Sequence, residues 1–417
     1  MAVRDALKDY AVEWVLGEHP ISLLDNADLV CISGGVPLTL PIVTEARRRA
    51  IPVSNDSQIF LETVAAKVTG ITGSAGKTTT TTLLGRMAEA AVKAPQRVWV
   101  GGNIGLPLID HLDEIQMEDT VILELSSFQL ELMTTSPAVA AVLNITPNHL
   151  DRHGTLEAYT AAKARILDFQ DEAGMAVLAH EDPGAWSLTD HVRGRLVTFG
   201  FERSRSGLQG TYLKDTDLVL FDGEQIRTIM PVKQILLRGR HNLLNVLAAC
   251  AIAHAMGLPT EAMAAGVEGF TGVPHRLEFV RELNGVKWYN DSIATAPERT
   301  IAALGSFREP VVLLLGGRDK DLPWEKLASL VHQQVDHVIL FGEAAGKVRG
   351  ALGPLHNGSR PYTLEICSGL QEAVQAAHRV AEAGDVVLLS PGGTSFDEFN
   401  DFEERGERYR LWVKQLT

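Results

Sequence analysis

Cysteines and long hydrophobic runs are scarce in this sequence, and each shortage excludes a class of protein. The 417 residues include three cysteines, Cys31, Cys250 and Cys367, and no two of them form a CxxC pair. This spacing argues against a disulfide framework and a thiolate metal cluster, so we expect small buried hydrophobic residues at these positions. No apolar run approaches the roughly 18 residues of a membrane span, and residues 1–14 are unlike a signal peptide. The sequence therefore predicts a cytoplasmic protein without membrane association.

Acidic residues outnumber basic ones, with 52 Asp and Glu against 38 Lys and Arg, which gives a net charge of −14. This charge repels nucleic acid, and no basic run interleaved with aromatic residues offsets it, so we expect no nucleic-acid partner. Any anionic ligand must be held by local features of the fold. The composition, with 45% hydrophobic and 22% charged residues, predicts a globular protein with a large core and excludes disorder, collagen and coiled coil.

Short β-branched runs alternate with longer alanine-rich stretches, which is typical of α/β layers around a mainly parallel sheet. The length suggests two or three domains, and we expect domains of residues 1–62, 63–272 and 273–417. Polar segments between residues 193 and 227 favour an antiparallel extension of the central sheet. The expected elements are strands at 27–33, 51–54, 120–125, 139–145, 311–315, 337–341 and 386–389, a strand ending at residue 73, and helices at 44–50 and 242–256.

The sharpest local motif is a glycine-rich turn at residues 70–79, GITGSAGKTT, between a β-branched run and a helix-forming run. In such turns, N–H groups at the helix start point at phosphate oxygens, a lysine reaches the terminal phosphates and a threonine hydroxyl binds Mg²⁺. The strict G-x-x-x-x-G-K-[ST] pattern fails because Ile71 stands where its first glycine would fall. We therefore predict a shortened phosphate-binding loop in which Lys77 contacts phosphate and Thr78 contacts Mg²⁺.

Further polar residues follow other predicted strands, and each has two interpretations. Glu124 ends a β-branched run, where it would either complete a Mg²⁺ shell or start a helix. His149 lies in a polar segment after the next strand, and a solvated loop histidine is the simpler interpretation. Lys163, in a helical run, is by itself typical of an exposed surface lysine. Asn242, near the start of an alanine-rich helix, is by itself typical of an N-cap.

In order and spacing, these segments resemble the Mur ligase family over nearly the whole chain. The phosphate loop and the HNLLN segment at residues 241–245 match the family and its folylpolyglutamate relatives. Three motifs match its D-glutamate-adding branch: GNIG at 102–105, ELSSFQLE at 124–131 and SFDEFNDFEERG at 395–406. The resemblance implies an α/β fold of three domains, with an N-terminal Rossmann-like domain, a central P-loop ATP-binding domain and a C-terminal Rossmann-like domain.

The same resemblance implies an ATP-dependent acid–D-amino-acid ligase of peptidoglycan precursor synthesis. The carboxylate of UDP-N-acetylmuramoyl-L-alanine would attack the γ-phosphate of ATP, and D-glutamate would then attack the acyl phosphate to form an amide. Because two anions must approach each other, cations have to neutralise their oxygens. The resemblance implies two Mg²⁺ ions and a CO₂-derived carbamate on Lys163 as cofactors. We expect these small molecules to be the partners, and the protein to be a monomer.

Matching positions in the family imply roles for individual residues of this chain. The residues expected to act in catalysis are Lys77, Glu124, His149 and Lys163. The residues expected to bind or place Mg²⁺ are Thr78, Glu124, His149 and Lys163. The residues expected to contact ATP are Gly73, Ser74, Ala75, Gly76, Lys77, Thr78, Thr79, Asn242, Asn245, Arg276 and Asp291. The residues expected to contact the nucleotide sugar or D-glutamate are Ser33, Asn103, Ser126, Gln129, Lys320, Ser395 and Phe402.

The sequence departs from the family in two respects that bear on activity. Family members begin with a strand and a G-x-G-x-S-G loop that holds uridine diphosphate, and this sequence starts after that unit, so we expect a truncated N-terminal domain. Ile293 stands where a lysine is frequent, and Arg318 is one cation that could compensate for it. Three alternatives stay open: a sister ligase that adds another amino acid, a truncated form that binds ATP without ligation, and a nucleotide-dependent switch.

Overall fold

The computed structural model describes residues 7, 8, 10–105, 107–205, 207–356 and 358–417, without the side chain of residue 151. The chain forms two compact units. The first takes in the described residues up to Gln234 together with Leu244–Glu268, and the second consists of Ile235–Leu243 and Gly269–Thr417. The predicted boundaries after residues 62 and 272 stay predictions. No helix in the described ranges is long and apolar enough to cross a membrane.

Helices and strands alternate over most of the chain. The strands are β1 (Val30–Cys31), β2 (Val53–Ser54), β3 (Val68–Thr72), β4 (Val98–Gly102), β5 (Thr120–Glu124), β6 (Val139–Val142), β7 (Met175–Ala179), β8 (Arg195–Phe199), β9 (Gly210–Lys214), β10 (Asp217–Phe221), β11 (Ile226–Pro231), β12 (Glu278–Leu283), β13 (Val286–Asn290), β14 (Val311–Gly316), β15 (Val335–Phe341), β16 (Thr363–Ile366) and β17 (Val386–Gly392). The α-helices are α1 (Pro41–Arg48), α2 (Asp56–Thr63), α3 (Lys77–Ala91), α4 (Ser127–Leu130), α5 (Leu150–His153), α6 (Leu156–Asp168), α7 (Pro183–Trp186), α8 (Arg240–Ala255), α9 (Thr260–Val267), α10 (Pro297–Leu304), α11 (Glu325–Gln334), α12 (Ala345–Leu352), α13 (Leu370–Val380) and α14 (Phe402–Gln415). Short 3-10 helices cover Ile21–Leu24, Leu108–His111, Ser187–His191 and Val232–Gln234.

A nine-stranded sheet forms the centre of the first unit, in the order β11-β10-β9-β8-β7-β6-β3-β5-β4. Neighbouring strands are parallel from β4 to β9, whereas β9, β10 and β11 pair antiparallel. The predicted antiparallel extension is therefore confirmed. All five residues of β3 are buried, as in parallel strands that are covered on both faces. A separate pair in the same unit, β1 and β2, is parallel.

A six-stranded sheet forms the centre of the second unit, in the order β12-β13-β17-β14-β15-β16. Apart from the antiparallel pairing of β12 with β13, its neighbouring strands are parallel. Leu313 and Leu315 of β14 belong to one hydrophobic cluster, and Val312 and Leu314 belong to another. This alternation follows from the two-residue period of a strand. The clusters hold the sheet on both faces and so fix the turns that follow its strands.

The predicted α/β fold class is confirmed, and the expected strands lie at or within a few residues of the observed ones. One expectation and one alternative interpretation are wrong. Cys250 and Cys367 are buried, but Cys31 is exposed, because it ends a strand of two residues that has a single pairing partner. Asn242 is not an N-cap, because α8 already begins at Arg240.

Candidate active site

Three neighbouring strands of the first unit carry the predicted segments: the phosphate loop follows β3, Glu124 ends β5, and the segment around His149 follows β6. Strand β3 lies between β5 and β6, with Ile71 opposite Glu124 and Thr72 opposite Val142. Because these strands are parallel, their carboxyl ends lie at one edge of the sheet, where α/β folds bind ligands. The topology therefore brings the three predicted segments to a single edge.

The phosphate loop turns sharply into helix α3. Gly76 precedes the helix with a φ of 85°, in the left-handed region, and a Cβ there would collide with the side-chain amide of Asn245. Lys77, Thr78 and Thr79 then form the first turn of α3. The first N–H groups of a helix lack acceptors within the helix, so this turn offers donors and a positive dipole end to an anion.

The segment after β6 holds the phosphate loop from the side. The backbone N–H of Ala75 donates to Oδ1 of Asn144 at 2.8 Å, and Nδ2 of Asn144 donates to the Ala75 carbonyl at 3.0 Å. The Ser74 hydroxyl donates to the Thr146 carbonyl and accepts from the Thr146 N–H, both at 2.9 Å. It also accepts from the Tyr159 hydroxyl at 3.1 Å. The side chain of Ser74 and the backbone of Ala75 thus set the shape of the loop.

Lys163 projects from α6 into the interior and is 1% exposed, so the interpretation as a surface lysine is wrong. Its Nζ donates to the Gly73 carbonyl at 3.0 Å and to Oγ1 of Thr72 at 3.1 Å, and lies 4.8 Å from the ring centroid of Tyr159. Nζ of Lys77 donates to the same Gly73 carbonyl at 2.9 Å. The two predicted catalytic lysines therefore share an acceptor at the phosphate loop.

The protonation of Lys163 reflects this position. Burial, and secondly the like charge of Lys77, hold the pKa of Lys163 well below its ordinary value, while the charge of Glu124 acts in the opposite direction. Burial thus favours the neutral amine over the ammonium. A neutral lysine amine is a nucleophile, which an exposed lysine near neutral pH is not.

Glu124 is the last residue of β5 and is 2% exposed. Nδ2 of Asn103 donates to its Oε1 at 3.0 Å, and the Asn103 N–H donates to its carbonyl at 2.8 Å. Its Oε2 is buried and has no hydrogen-bond partner within the described ranges. Because an unpaired buried carboxylate oxygen is costly, this atom suits a cation. Oxygen donors from Glu124 and Thr78 match the preference of Mg²⁺, which commonly takes its other ligands from phosphates and water. The residues present therefore fit this ion.

His149 is exposed and precedes α5, with a φ of 53°. Its ring lies 5.1 Å from that of Phe128, which stacks on His153 at 5.4 Å and lies under the Arg152 guanidinium at 4.8 Å. Over the described residues, no group of three or more His, Cys, Asp and Glu side chains is arranged to hold a metal ion. The metal-binding role of His149 stays a prediction.

Two predicted substrate contacts also stabilise the turn after β5. Ser126 and Gln129 form a capping box at α4, in which the Gln129 N–H donates to the Ser126 hydroxyl at 3.3 Å and the Ser126 N–H donates to Oε1 of Gln129 at 2.9 Å. Nε2 of Gln129 donates to the Ser57 hydroxyl at 2.8 Å. Ser33 is exposed in the turn after β1. The substrate roles of Ser33, Ser126 and Gln129 stay predictions.

In the second unit, Asp291, Lys320 and Ser395 follow β13, β14 and β17, which are parallel neighbours. Asp291 is 4% exposed and accepts hydrogen bonds from the Ser390 hydroxyl at 2.8 Å and from the Leu277 N–H at 3.2 Å. Burial raises the pKa of Asp291 to about 7, although these hydrogen bonds and nearby arginines act to lower it. The second unit thus presents a buried carboxyl group at the carboxyl edge of its sheet.

The other predicted residues of the second unit lie on several turns and helices. Nζ of Lys320, an exposed residue, is 3.5 Å from Oγ1 of Thr295. Ser395 is buried, and Phe402 begins α14 with its ring 6.3 Å from that of His275. Arg276 lies in the turn before β12, and Nδ2 of Asn242 donates to the Arg238 carbonyl at 2.8 Å.

Arg405 is a residue to which sequence reasoning assigned no role. It is 0% exposed and donates five hydrogen bonds, at 2.8 to 3.1 Å, to the hydroxyl and carbonyl of Ser292 and to the carbonyls of Gly393 and Thr394. It therefore joins the turn after β13 to the turn after β17. Arg405 lies inside the motif at residues 395–406, but the residues next to it in the sequence do not indicate whether its side chain is buried or exposed.

Comparison with known proteins agrees with this geometry. A family model for the Mur ligase middle domain matches residues 71–253, and one for the Mur ligase glutamate ligase domain matches residues 275–393. The UDP-N-acetylmuramoylalanine--D-glutamate ligase of Symbiobacterium thermophilum is 41% identical over 406 residues, which is 97% of this chain and 88% of that protein. The protein of the same name from Acetivibrio thermocellus is 39% identical over 415 residues, 99% of this chain and 88% of its own length. This chain belongs to the Mur ligase family.

Solved structures support the same fold for this Mur ligase. The MurF ligase of Thermotoga maritima in complex with ADP superposes with a TM-score of 0.56 at 18% identity, over 94% of this chain and 98% of that one. The FolC protein of E. coli, also in complex with ADP, gives a TM-score of 0.61 at 18% identity, over 85% of this chain and 91% of that one. At this identity the likeness concerns the fold alone.

Proposed function

We propose that this Mur ligase uses ATP to join D-glutamate to UDP-N-acetylmuramoyl-L-alanine in peptidoglycan precursor synthesis. The observation that carries the proposal is that relatives named for this ligation align with 97% and 99% of the chain. The phosphate loop, Glu124 and Lys163 provide groups that such a reaction requires. Cation-rich, water-poor surroundings are needed because each step brings anions together.

The reaction has two steps. A carboxylate oxygen of UDP-N-acetylmuramoyl-L-alanine attacks the γ-phosphorus of ATP, the bond to the β–γ bridging oxygen breaks and ADP leaves. The amine of D-glutamate then attacks the acyl carbon, loses a proton and displaces phosphate. Lys77 and the first turn of α3 are assigned to bind the phosphate oxygens and to neutralise their charge. The hydrogen bond of Lys77 to Gly73 holds its ammonium beside the loop that receives them.

Thr78 and Glu124 are the residues that we assign to a first Mg²⁺, and His149 is the residue that we assign to a second. When bound, Mg²⁺ supplies positive charge to the phosphate oxygens. Asn103 supports this arrangement because its donation to Oε1 of Glu124 fixes the carboxylate plane. The unpaired Oε2 is the atom that fits a cation.

Lys163 is assigned to carry a carbamate. Its neutral amine attacks the carbon of CO₂, a carbon–nitrogen bond forms, an electron pair moves to oxygen and one N–H proton leaves to solvent. The lowered pKa of Lys163 favours the neutral amine that this step needs. The product is a carboxylate, which gains the neighbouring Lys77 ammonium as a partner of opposite charge. A lysine that repels Lys77 would thereby become a group that attracts it and a metal ion.

The remaining proposed contacts are assigned to residues of both units. The residues assigned to ATP outside the phosphate loop are Asn242, Asn245, Arg276 and Asp291. The residues assigned to D-glutamate are Lys320, Ser395 and Phe402, and those assigned to the nucleotide sugar are Ser33, Asn103, Ser126 and Gln129. An ammonium and a hydroxyl suit the carboxylates of D-glutamate, because charged hydrogen bonds are the stronger ones.

The test is ADP and phosphate release with UDP-N-acetylmuramoyl-L-alanine, Mg²⁺ and, in turn, D-glutamate, L-glutamate, glycine and L-lysine. We expect release that requires both the acceptor and D-glutamate. Release with another amino acid would instead identify a sister ligase, release without the acceptor would identify a nucleotide-dependent switch, and no release would contradict the proposal. Lys320→Ala should raise the KM for D-glutamate at least about tenfold, whereas the exposed Lys326→Ala on α11 should leave it unchanged.

A further inference from the structure

Arg299, on helix α10, contacts the turn that follows Asp291, whose carboxyl group is buried. Arg299 is exposed, and its Nη1 donates to the Ile293 carbonyl at 3.2 Å. Ile293 is two residues after Asp291 in the same turn, and the charges of Arg299 and Arg276 both act to lower the pKa of Asp291. The guanidinium therefore lies over the turn that leads from β13 to α10.

Arg318 and Lys347, two other exposed cations near the carboxyl edge of this sheet, are paired with carboxylates. Lys320 instead lies beside the Thr295 hydroxyl. Nε and Nη2 of Arg318 donate to the two carboxylate oxygens of Glu343 at 2.9 and 3.0 Å. Lys347 is paired with Asp319 and lies 3.5 Å from Asp321. No carboxylate of the described residues forms such an ion pair with Arg299. Its positive charge is therefore not cancelled within the part of the second unit that the structure describes.

We propose that Arg299 is a catalytic residue that binds phosphate oxygens of the reacting ATP beside Asp291. This inference rests on the proposed ligation. A guanidinium carries five donors in a planar fork, and the single bond to Ile293 orients the fork while leaving other donors for an oxyanion. The side chain of Ile293 carries no charge. Arg318 is the cation that the sequence suggested as a replacement for the usual lysine at this position, but its guanidinium already donates to both carboxylate oxygens of Glu343.

An oxyanion at this position could be a phosphate of ATP or a carboxylate of D-glutamate, and steady-state kinetics separates the two. Arg299→Ala is expected to lower kcat about 100-fold and to leave the KM for D-glutamate within about threefold. Arg299→Lys should recover at least about tenfold of the loss, because it restores the charge but not the fork. Adding Ile293→Lys to Arg299→Ala should also recover activity, since it returns a cation to the same turn.

The matched control is Arg308→Ala, another exposed arginine of the second unit, which should keep kcat within about threefold of the wild type. Because Arg299 is exposed, its removal should leave the urea concentration at the midpoint of unfolding unchanged. A second readout needs no turnover: calorimetry should show ATP binding weakened about tenfold by Arg299→Ala, with adenosine binding unchanged.

Three outcomes would overturn the assignment. They are an Arg299→Ala enzyme with wild-type kcat and ATP affinity, a loss confined to the KM for D-glutamate, and a loss in Arg318→Ala that equals or exceeds that in Arg299→Ala. A wild-type protein that releases no ADP with D-glutamate would count against the ligation itself. The calorimetric comparison of ATP with adenosine would still decide whether Arg299 binds phosphate.

Discussion

Lys77 and Lys163 both donate a hydrogen bond to the carbonyl oxygen of Gly73, at 2.9 and 3.0 Å. Two ammonium groups on one acceptor repel each other, and the more buried one, Lys163, has the more costly charge. The arrangement therefore favours loss of a proton from Lys163 and makes that residue the reactive member of the pair. Conversion of its amine to a carboxylate would turn the repulsion into attraction.

Lys163→Met is expected to separate stability from activity. The change removes a buried polar group, and neither former partner is left unsatisfied, because Gly73 still accepts from Lys77 and Thr72 still donates to the Leu125 carbonyl at 2.8 Å. We expect the free energy of unfolding in urea to stay equal or to rise, while turnover falls at least about 100-fold. Wild-type turnover, or no ¹³C signal from ¹³CO₂ on wild-type Lys163, would contradict the carbamate role.

Gly76→Ala should destabilise the first unit. The position has a positive φ, and the new Cβ would meet the Asn245 amide, so we expect a loss of at least about 2 kcal/mol in the free energy of unfolding. The control is Gly346→Ala in α12, where an added Cβ meets no atom within 4 Å. That variant should gain about 0.5–1 kcal/mol. Equal effects of the two substitutions would refute the steric argument.

Asp291 should give the stability a distinctive pH dependence. Its pKa is about 7 in the folded protein against an ordinary value of 3.8, so between these values the folded state keeps a proton that the unfolded chain has lost. Stability from this group is present at low pH and is lost as pH rises towards 7, by up to about 1.4 kcal/mol per pH unit. The side chain of Asp291→Asn cannot titrate. In urea titrations, the free energy of unfolding of this variant, relative to that of the wild type, should therefore rise from pH 4 to 7 and then level off. A pH-independent difference would disprove the assignment.

Arg405→Met should destabilise the second unit by about 3–5 kcal/mol. The variant leaves the buried carbonyls of Ser292 and Gly393 without the Arg405 donors, whereas the Thr394 carbonyl still accepts from the Arg318 N–H at 2.8 Å. Burial also lowers the pKa of Arg405 to about 10, well above neutral pH, so the native side chain is charged. Arg408→Met, an exposed position on the same helix, should change the free energy of unfolding by less than about 0.5 kcal/mol. Similar losses in both variants would show that the network contributes nothing.

The strands and the phosphate loop could be predicted from the sequence because they depend on local chemistry. The β-branched run before Gly73 and the Gly-Lys-Thr step at residues 76–78 have the same consequences wherever they occur. The position of Glu124 was also predictable, because a polar residue that ends a buried strand of an α/β protein lies at the ligand-binding edge. The family and the fold class follow from such motifs in order, and both predictions are confirmed.

Other properties depend on residues far apart in the chain, and only the tertiary structure decides them. Lys163 has the local pattern of a surface lysine, yet α6 packs it against Thr72 and Gly73. The sequence around Arg299 is typical of an ordinary exposed arginine, and only the structure shows its hydrogen bond to the Ile293 carbonyl. The sequence by itself determined which elements form and where the glycine-rich loop turns into a helix, because these depend on near neighbours. Burial, shared acceptors and shifted pKa values arise from contacts between distant segments, so the fold alone determined which cations lie buried beside the phosphate loop.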